Sequence, residues 1–285
     1  MSMLRYSVVD VFTDRPFTGN PLAIVFDAQD LAGEQMSAIA REFNLAETIF
    51  VLPPTSPDAT YRVRIFTPGT ELPFAGHPSV GCAVTLQRAG VIKGPDVVQE
   101  CGAGLIPIQI DDVHGSATVT GGKPTVGAPL DPGPLLAAIG LGESDFVGPA
   151  PRMAGCGLEF AFLSGTDAAL GRVVVGRPVG NLSVFHWDAE RHRAHVRVLV
   201  PEMGVPEDPA TGSAALGLGV WLVSSGLLPG DGTTAYHIGQ GSEMHRPSTL
   251  QCAVTASGGE AVSASVAGHV VPIASGEMIV PPFVG

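Results

Sequence analysis

The sequence predicts an α+β fold of two similar lobes, each with a mostly antiparallel sheet around a central helix. An internal repeat relates residues 71–90 to residues 207–226. Each copy has the pattern of a strand, a turn rich in Pro and Gly, and an apolar helix that ends at a glycine. The chain length of 285 residues also exceeds the usual size of one domain. Two copies of one supersecondary unit are therefore predicted.

The repeat is carried by an ungapped match between ELPFAGHPSVGCAVTLQRAG and EDPATGSAALGLGVWLVSSG. Upstream, Arg64 corresponds to Arg197, and a short insertion at residues 202–205 absorbs a shift in spacing. The identical positions are Glu71, Pro73, Gly76, Gly81, Val84, Leu86 and Gly90 in the first copy, and Glu207, Pro209, Gly212, Gly217, Val220, Leu222 and Gly226 in the second.

The first predicted lobe spans residues 1–124. Alternating residues indicate a strand over Leu4–Phe12, and a turn separates it from a second strand that ends at Val25. A helix follows, with Asp30 near its start and Asn44 at its end. Its apolar face is formed at helical spacing by Met36, Ile39, Ala40 and Phe43.

The same lobe continues with a strand over Thr48–Leu52 and a central helix near 77–89, followed by short strands through Thr120. The Gly- and Pro-rich stretch 121–134 is interpreted as the linker between the lobes.

The second predicted lobe spans residues 125–285 and has its central helix near 209–225. Its last strand is allowed to return to the first lobe. Strands are predicted over Phe160–Leu163, Arg172–Val175 and Val196–Val200.

Composition excludes several classes of function. The chain has 15 basic and 27 acidic residues, a formal charge of −12, and no basic run that could follow a phosphate backbone, so nucleic acid is not an expected partner. No apolar run suits a signal peptide or a membrane span, which predicts a cytoplasmic protein that does not enter membranes. Cys82, Cys101, Cys156 and Cys252 are widely spaced, and we expect free, mostly buried thiols.

Four residues are candidates for chemistry, and each has a simpler explanation. Glu47 lies among apolar neighbours, where partial desolvation suits proton transfer, but it is equally an ordinary glutamate at a strand end. Asp208 precedes Pro209, so capping of the second central helix and catalysis are both open. His77 could hydrogen-bond a substrate, donate a proton or fill the turn. Ser213 could bind a ligand or be a small residue at a helix contact.

The starts of the two central helices are the expected binding points for a carboxylate. The first N–H groups of a helix lack intrahelical partners and carry the positive end of its dipole. Gly76 and Gly212 would allow a ligand to approach this backbone closely. Two lobes of matching design could direct these ends toward one cleft. His186, His192 and His195 could be metal ligands, but their charged surroundings favour a solvated loop, and no metal site is predicted.

Four segments resemble the PhzF family of phenazine-biosynthesis-type isomerases. They are DVFTDRPFTGNPLAIV at 10–25, FNLAETIFV at 43–51, RIFTPGTELPFAGHPSVGCA at 64–83 and EDPATGSAALG at 207–217. The resemblance implies a diaminopimelate epimerase-like fold, with two pseudo-symmetric lobes, each a β-barrel-like sheet around a central helix, and an active site between them.

The resemblance also implies roles for the candidate residues. Glu47 matches the family's catalytic glutamate, and Asp208 and His77 would position the substrate or assist. Gly76, Gly212 and Ser213 would help to bind a small carboxylate such as trans-2,3-dihydro-3-hydroxyanthranilate. Catalysis would move a proton and a double bond without any cofactor. A homodimer is expected by family analogy.

Two other functions remain open from the sequence. A cofactor-independent amino-acid epimerase could use carboxylates, whereas a two-thiol mechanism lacks a cysteine near the start of either central helix. The fold could also serve a non-catalytic small-molecule-binding or interaction protein.

Overall fold

The computed structural model describes residues 3–201 and 205–282, so most of the insertion predicted at 202–205 lies outside the described residues. The chain forms two compact units. Unit 1 comprises the residues up to Val119 and those from Ala267 onward, and unit 2 comprises Thr120–Val266. The limits predicted from the sequence, 1–124 and 125–285, differ from these units at the boundary and in the C-terminal segment. The C-terminal segment belongs to unit 1 because it pairs with the first strand.

Unit 1 has a mostly antiparallel arrangement of strands. The strands are β1 (Met3–Val11), β2 (Asn20–Val25), β3 (Glu47–Leu52), β4 (Tyr61–Phe66), β5 (Glu71–Leu72), β6 (Asp96–Cys101), β7 (Gly104–Asp111) and β8 (Ser116–Thr120). The antiparallel pairs are β1–β2, β3–β4, β4–β5, β6–β7 and β7–β8. The pairs β2–β3 and β4–β6 are parallel.

The last strand of the chain closes this arrangement into a ring. β17 (Glu260–Ile279) pairs antiparallel with β1 over Met3–Val11. It also pairs with β8, next to a hydrogen bond from Val270 N to Gly115 O of 3.0 Å. Closure leaves neither β1 nor β8 as a free edge strand.

The predicted central helix of unit 1 is α2 (Gly76–Arg88). Every residue from Gly76 to Leu86 in this helix is buried. Gly81 allows the helix to pack closely against the strands. A Cβ atom there would lie 2.6 Å from Leu22 Cδ2 and 2.8 Å from Val11 Cγ2. The repeated glycine therefore reflects close packing of helix and sheet.

α1 (Gly33–Phe43) also belongs to unit 1 and ends as predicted at Asn44, which adopts the left-handed conformation at φ 50°. Asp30, expected near its start, lies two residues before the N-cap and does not cap the helix. The N-cap is Ala32, whose N–H donates to Gln35 Oε1 at 2.9 Å, because Asp30 already belongs to a short 3-10 helix over Ala28–Asp30.

Unit 2 repeats the pairing order of unit 1. The strands are β9 (Thr125–Pro129), β10 (Arg152–Gly155), β11 (Glu159–Ser164), β12 (Leu182–Asp188), β13 (Arg193–Val200), β14 (Val205–Asp208), β15 (Gly232–Gln240) and β16 (Ser248–Ser257). The pairs β11–β12 and β13–β15 are parallel. The pairs β9–β10, β10–β11, β12–β13, β13–β14 and β15–β16 are antiparallel. The helices are α3 (Pro132–Ala138), α4 (Asp167–Leu170) and α5 (Gly212–Ser224).

α5 is the counterpart of α2, so the prediction of two pseudo-symmetric α+β lobes is confirmed. Gly217 has the role of its partner Gly81, since a Cβ atom there would lie 2.9 Å from Phe162 Cζ and 3.0 Å from Ala154 O. Trp221 is fully buried on α5 and packs edge-on against Phe185 with ring centroids 5.1 Å apart. Both central helices begin and end close to the predicted limits: α2 was expected near 77–89, and α5 near 209–225.

The repeat also places the same ion pair in both units. Arg64 on β4 forms two hydrogen bonds with Glu71 on β5, of 2.7 and 2.6 Å. Arg197 on β13 and Glu207 on β14 form the equivalent bonds at 2.7 and 2.8 Å. The pairs hold each short strand, and hence the approach to each central helix, against the sheet.

Two predicted features of unit 2 are wrong. Residues 172–175 form no strand and follow α4 as irregular chain. The expected linker 121–134 contains β9 and the start of α3. β9 forms despite its Gly and Pro content because β10 supplies its hydrogen-bonding partners, which local composition does not reveal.

Candidate active site

Three elements of unit 1 begin at the same place and bring polar side chains together. β2 starts at Asn20, β3 starts at Glu47, and α2 starts at Gly76, one residue before His77. β2 and β3 are parallel, with Leu22 beside Glu47, so their first residues lie at the same edge of the sheet. Strand direction therefore determines this cluster.

The His77 side chain lies between Glu47 and Asn20. Its Nε2 atom is 3.4 Å from Glu47 Oε2, at the long end of the hydrogen-bond range, and its Nδ1 atom is 3.3 Å from Asn20 Nδ2. An amide nitrogen can only donate, so Nδ1 accepts and the proton of a neutral ring is on Nε2. That nitrogen is the one in contact with the Glu47 carboxylate.

Burial keeps His77 neutral. The side chain is 4% exposed, and its burial lowers the pKa of His77 to about 3. At neutral pH the imidazole is therefore uncharged, and it carries no proton that it could give up as an imidazolium acid. The 3.4 Å contact with Glu47 brings the two groups together but does not have the geometry of a hydrogen bond. Glu47 is 14% exposed at the side chain, so the carboxylate is accessible to a small ligand while most of its surface is covered.

The loop before Asn20 is fixed by a buried carboxylate that the sequence did not single out. Asp10 is 2% exposed and accepts a 2.7 Å hydrogen bond from the Phe17 N–H. Phe17 adopts φ 62° and is 72% exposed, and the Thr13 and Thr18 hydroxyls also contact each other. Asp10 and Asn20 lie inside the segment that carries the family resemblance, yet only the fold shows what they contact.

Unit 2 holds a second group of candidate residues. Asp208 ends β14, is 8% exposed, and pairs in register with Val198. α5 begins four residues after Asp208, with Thr211 as its N-cap and Gly212 as its first residue. The alternative that Asp208 caps this helix, with Pro209 as its first residue, is wrong because Asp208 still belongs to the sheet.

Gln240 is a member of this second group that sequence reasoning missed. It is 2% exposed, and its Nε2 donates to Asp208 O at 2.7 Å and to Thr211 Oγ1 at 3.0 Å. Its Oε1 accepts from Thr211 N at 3.2 Å. A glutamine at the end of a strand carries no sequence signal for such a role.

The first turns of both central helices have backbone N–H groups without intrahelical partners. In α5 these belong to Gly212, Ser213 and Ala214, and Ser213 is partly exposed. In α2 the third residue is Pro78, which has no N–H, so Gly76 and His77 supply the donors there. Each end can bind an anion.

The chain matches the family model described as phenazine biosynthesis-like protein over residues 9–132 and 179–276. It is 35% identical to an uncharacterised isomerase of Mesorhizobium japonicum, covering 98% of this chain and 100% of the relative. It is also 35% identical to the trans-2,3-dihydro-3-hydroxyanthranilate isomerase of Pseudomonas aeruginosa, covering 96% and 99%. A crystal structure of a PhzF-family protein from Bacillus anthracis superimposes with a TM-score of 0.87 at 25% identity, covering 98% and 100%.

The chain belongs to the PhzF family. It is a PhzF-like isomerase, which confirms the predicted family, fold and enzyme class. The hypothesis that the chain is a non-catalytic binding or interaction protein is therefore not favoured. The assignment of Glu47, His77, Asp208, Ser213, Gly76 and Gly212 to the site stays a prediction.

The cysteines of this PhzF-family protein are unsuited to thiol chemistry. All four are free, and Cys82, Cys156 and Cys252 are buried, as predicted. Burial raises the pKa of Cys82 far above its usual range and the pKa of Cys156 to about 11. Neither thiol is a thiolate near neutral pH, which argues against a two-thiol epimerase mechanism.

His186, His192 and His195, the histidines considered as metal ligands, contact other residues. His186 Nδ1 lies 3.2 Å from Gly165 O. His195 contacts Asp167 at 2.8 Å and Glu243 at 3.0 Å, and His192 stacks on Trp187 with ring centroids 6.0 Å apart. Within residues 3–201 and 205–282, no group of three or more His, Cys, Asp or Glu side chains could hold a metal ion. Across that same part of the chain, every helix is too short or too polar to span a membrane.

Proposed function

We propose that this isomerase acts on a small carboxylate related to trans-2,3-dihydro-3-hydroxyanthranilate, with Glu47 as its acid and base. The substrate class is supported by the name of the Pseudomonas aeruginosa relative, which is similar along almost the whole chain. The observation that carries the role of Glu47 is its position 3.4 Å from a neutral, buried His77. A carboxylate in such surroundings is only partly hydrated and suited to proton transfer.

The proposed reaction needs one proton carrier. The Glu47 carboxylate removes a proton from a substrate carbon, and the electron pair of the broken C–H bond becomes part of a shifted double bond. The Glu47 carboxyl group, whose proton exchanges with water, then returns a proton to a different carbon. Atoms and electrons are conserved, so this step requires no oxidant, metal or organic cofactor.

His77 is proposed to orient Glu47 rather than to transfer the proton. Its Nε2 atom lies 3.4 Å from the carboxylate, and Asn20 fixes the ring by donating to Nδ1. The N–H groups at Gly76, Gly212 and Ser213 are proposed to bind the substrate carboxylate, and Asp208 is proposed to assist the proton transfer.

Glu47→Gln tests this proposal, because it removes the proton carrier and preserves the shape of the side chain. We expect trans-2,3-dihydro-3-hydroxyanthranilate to be isomerised by the parent and at least about a thousandfold more slowly by the variant. Glu42→Gln, at an exposed glutamate on α1, is the matched control and should behave as the parent. Equal rates for Glu47→Gln and the parent would refute the role of Glu47.

The epimerase alternative shares the carboxylate chemistry and is separated from double-bond migration by solvent isotope. In deuterium oxide, migration gives a product with deuterium at a new carbon and a changed ultraviolet spectrum. Epimerisation would instead give deuterium at the original carbon with inverted configuration and an unchanged spectrum. The second result would replace the proposed reaction.

We also propose that the protein is a cytoplasmic homodimer. The free thiols support a reducing compartment, and two-fold assemblies are the commonest among soluble oligomers. Light scattering at micromolar concentration should give twice the mass of one chain, and a monomer would contradict the proposal.

A further inference from the structure

One buried amide holds the segment between β14 and α5. Gln240 at the end of β15 uses its Nε2 group for Asp208 O and Thr211 Oγ1, and its Oε1 atom for Thr211 N. The amide is 2% exposed and no solvent competes for these bonds. It therefore fixes the last residue of the strand and the N-cap of the central helix relative to each other.

The direction of the hydrogen bonds in this segment is determined. Gln240 Nε2 can only donate, so Thr211 Oγ1 accepts from it at 3.0 Å. The hydroxyl proton of Thr211 is left to donate, and the Asp208 Oδ2 atom is its partner. Two successive hydrogen bonds therefore connect Gln240 to the Asp208 carboxylate, and this orients the carboxylate.

Thr211 is also diverted from the usual role of a threonine at this position. An N-cap threonine ordinarily accepts a hydrogen bond from an N–H of the first turn. Thr211 makes no side-chain cap bond in α5, and Thr166, the N-cap of the short helix α4, makes none either, whereas Asp131, the N-cap of α3, accepts from Gly133 N at 2.9 Å. In α5 the threonine hydroxyl instead donates to Asp208 Oδ2, so the first turn is left without the side-chain acceptor that its sequence offers.

We propose that Thr211 and Gln240 are positioning residues of this isomerase. They orient the Asp208 carboxylate and keep the first-turn N–H groups of α5 uncapped by the Thr211 side chain. The inference rests on the proposed function, in which Asp208 assists proton transfer and these N–H groups bind a carboxylate.

The test compares Thr211→Val, which removes the hydroxyl at almost constant volume, with Thr211→Ser, which retains it. With trans-2,3-dihydro-3-hydroxyanthranilate as substrate, Thr211→Val should lower kcat by a factor of about 10 to 100, the loss typical of one hydrogen bond to a charged group. KM should stay within about threefold, because valine provides no cap acceptor either. Thr211→Ser should stay within about threefold of the parent in kcat.

Gln240→Leu and a control complete the series. Gln240→Leu removes all three amide hydrogen bonds and should lower kcat at least as much as Thr211→Val. Thr255→Val is the control, since Thr255 is a partly buried threonine on β16 whose hydroxyl contacts the Thr233 hydroxyl at 2.9 Å, away from Asp208 and α5 in sequence. It should match the parent. Parent-like kcat in Thr211→Val, or a Thr211→Ser variant as slow as Thr211→Val, would overturn the inference.

A second measurement separates this inference from the proposed function. If the parent fails to convert the compound, the proposed function is refuted, and the hydrogen-bond network is then tested by amide exchange. The Thr211 N–H, bonded to Gln240 in the parent, should exchange at least about tenfold faster in Gln240→Leu, with little change at the N–H groups inside α5. Unchanged exchange at Thr211 would overturn the inference independently of any substrate.

Discussion

The repeated ion pair offers a comparison in which the chain is its own control. Arg197 and Glu207 in unit 2 have side chains 6% and 8% exposed, whereas Arg64 and Glu71 in unit 1 are 36% and 43% exposed. The bond lengths are nearly the same. Substitution of each glutamate by glutamine therefore isolates the effect of burial on an ion pair of fixed geometry.

Glu207→Gln should destabilise unit 2 by about 3 kcal/mol. Glutamine preserves the shape and one acceptor, but it leaves the buried Arg197 guanidinium without its hydrogen-bonded counter-ion, and loss of such a partner typically costs about 3–5 kcal/mol. The charge of Glu243 still acts on Arg197 and favours the lower end of this range. Arg197 retains its hydrogen bonds to Leu170 O at 2.7 Å and Val173 O at 3.4 Å, which places the loss at the lower end. Glu71→Gln should cost at most about 1 kcal/mol, because water solvates the exposed Arg64.

Tryptophan fluorescence in a urea titration measures the difference, because both tryptophans of the chain, Trp187 and Trp221, lie in unit 2. Glu207→Gln should lower the urea midpoint of the fluorescence transition, and Glu71→Gln should leave it unchanged. Circular dichroism would follow the secondary structure of both units in the same samples. Equal midpoints for Glu207→Gln and the parent would show that burial contributes nothing to this pair and would refute the reasoning.

Three further predictions follow from single sites. The pKa of His77 is lowered to about 3, so the unfolded chain binds a proton between about pH 6.5 and 3 that the folded chain does not. Stability should fall with acid through this window, by about 5 kcal/mol in all, and the His77→Asn variant should lose that slope in urea titrations. Phe17 is an exposed residue at φ 62°, a conformation that asparagine adopts more readily, so Phe17→Asn should raise the free energy of unfolding by about 1 kcal/mol. The control is the change to asparagine at Val113, which is also exposed but does not have a positive φ; this variant should not be stabilised. Gly217→Ala should lower the free energy of unfolding, followed by fluorescence, by about 1–3 kcal/mol, because the added Cβ would lie 2.9 Å from a phenylalanine ring. In Gly142→Ala the added Cβ meets no atom within 4 Å, so this variant should be neutral. Similar urea midpoints for the two alanine variants would contradict the packing argument.

The sequence by itself was sufficient for the features that depend on local pattern. The repeat predicts both central helices because an apolar helix between a Pro/Gly turn and a terminal glycine is encoded in consecutive residues. It also aligns Gly81 with Gly217, and the structure shows that helix and sheet pack closely at both glycines. The motifs around Glu47, His77 and Asp208 are likewise contiguous, so the family could be recognised without coordinates.

Only the tertiary structure decided which side chains meet across distant parts of the chain. Asn20 and His77 are 57 residues apart, and Gln240 lies 29 residues from Thr211, so no local pattern connects them. The C-terminal segment joins unit 1 and β9 forms in a Gly- and Pro-rich stretch because hydrogen-bonding partners are available there. The two ion pairs consist of the same residue types, arginine and glutamate, and their unequal burial depends on the surrounding elements. Local composition sets what an element can form, whereas burial and pairing are set by the contacts between elements.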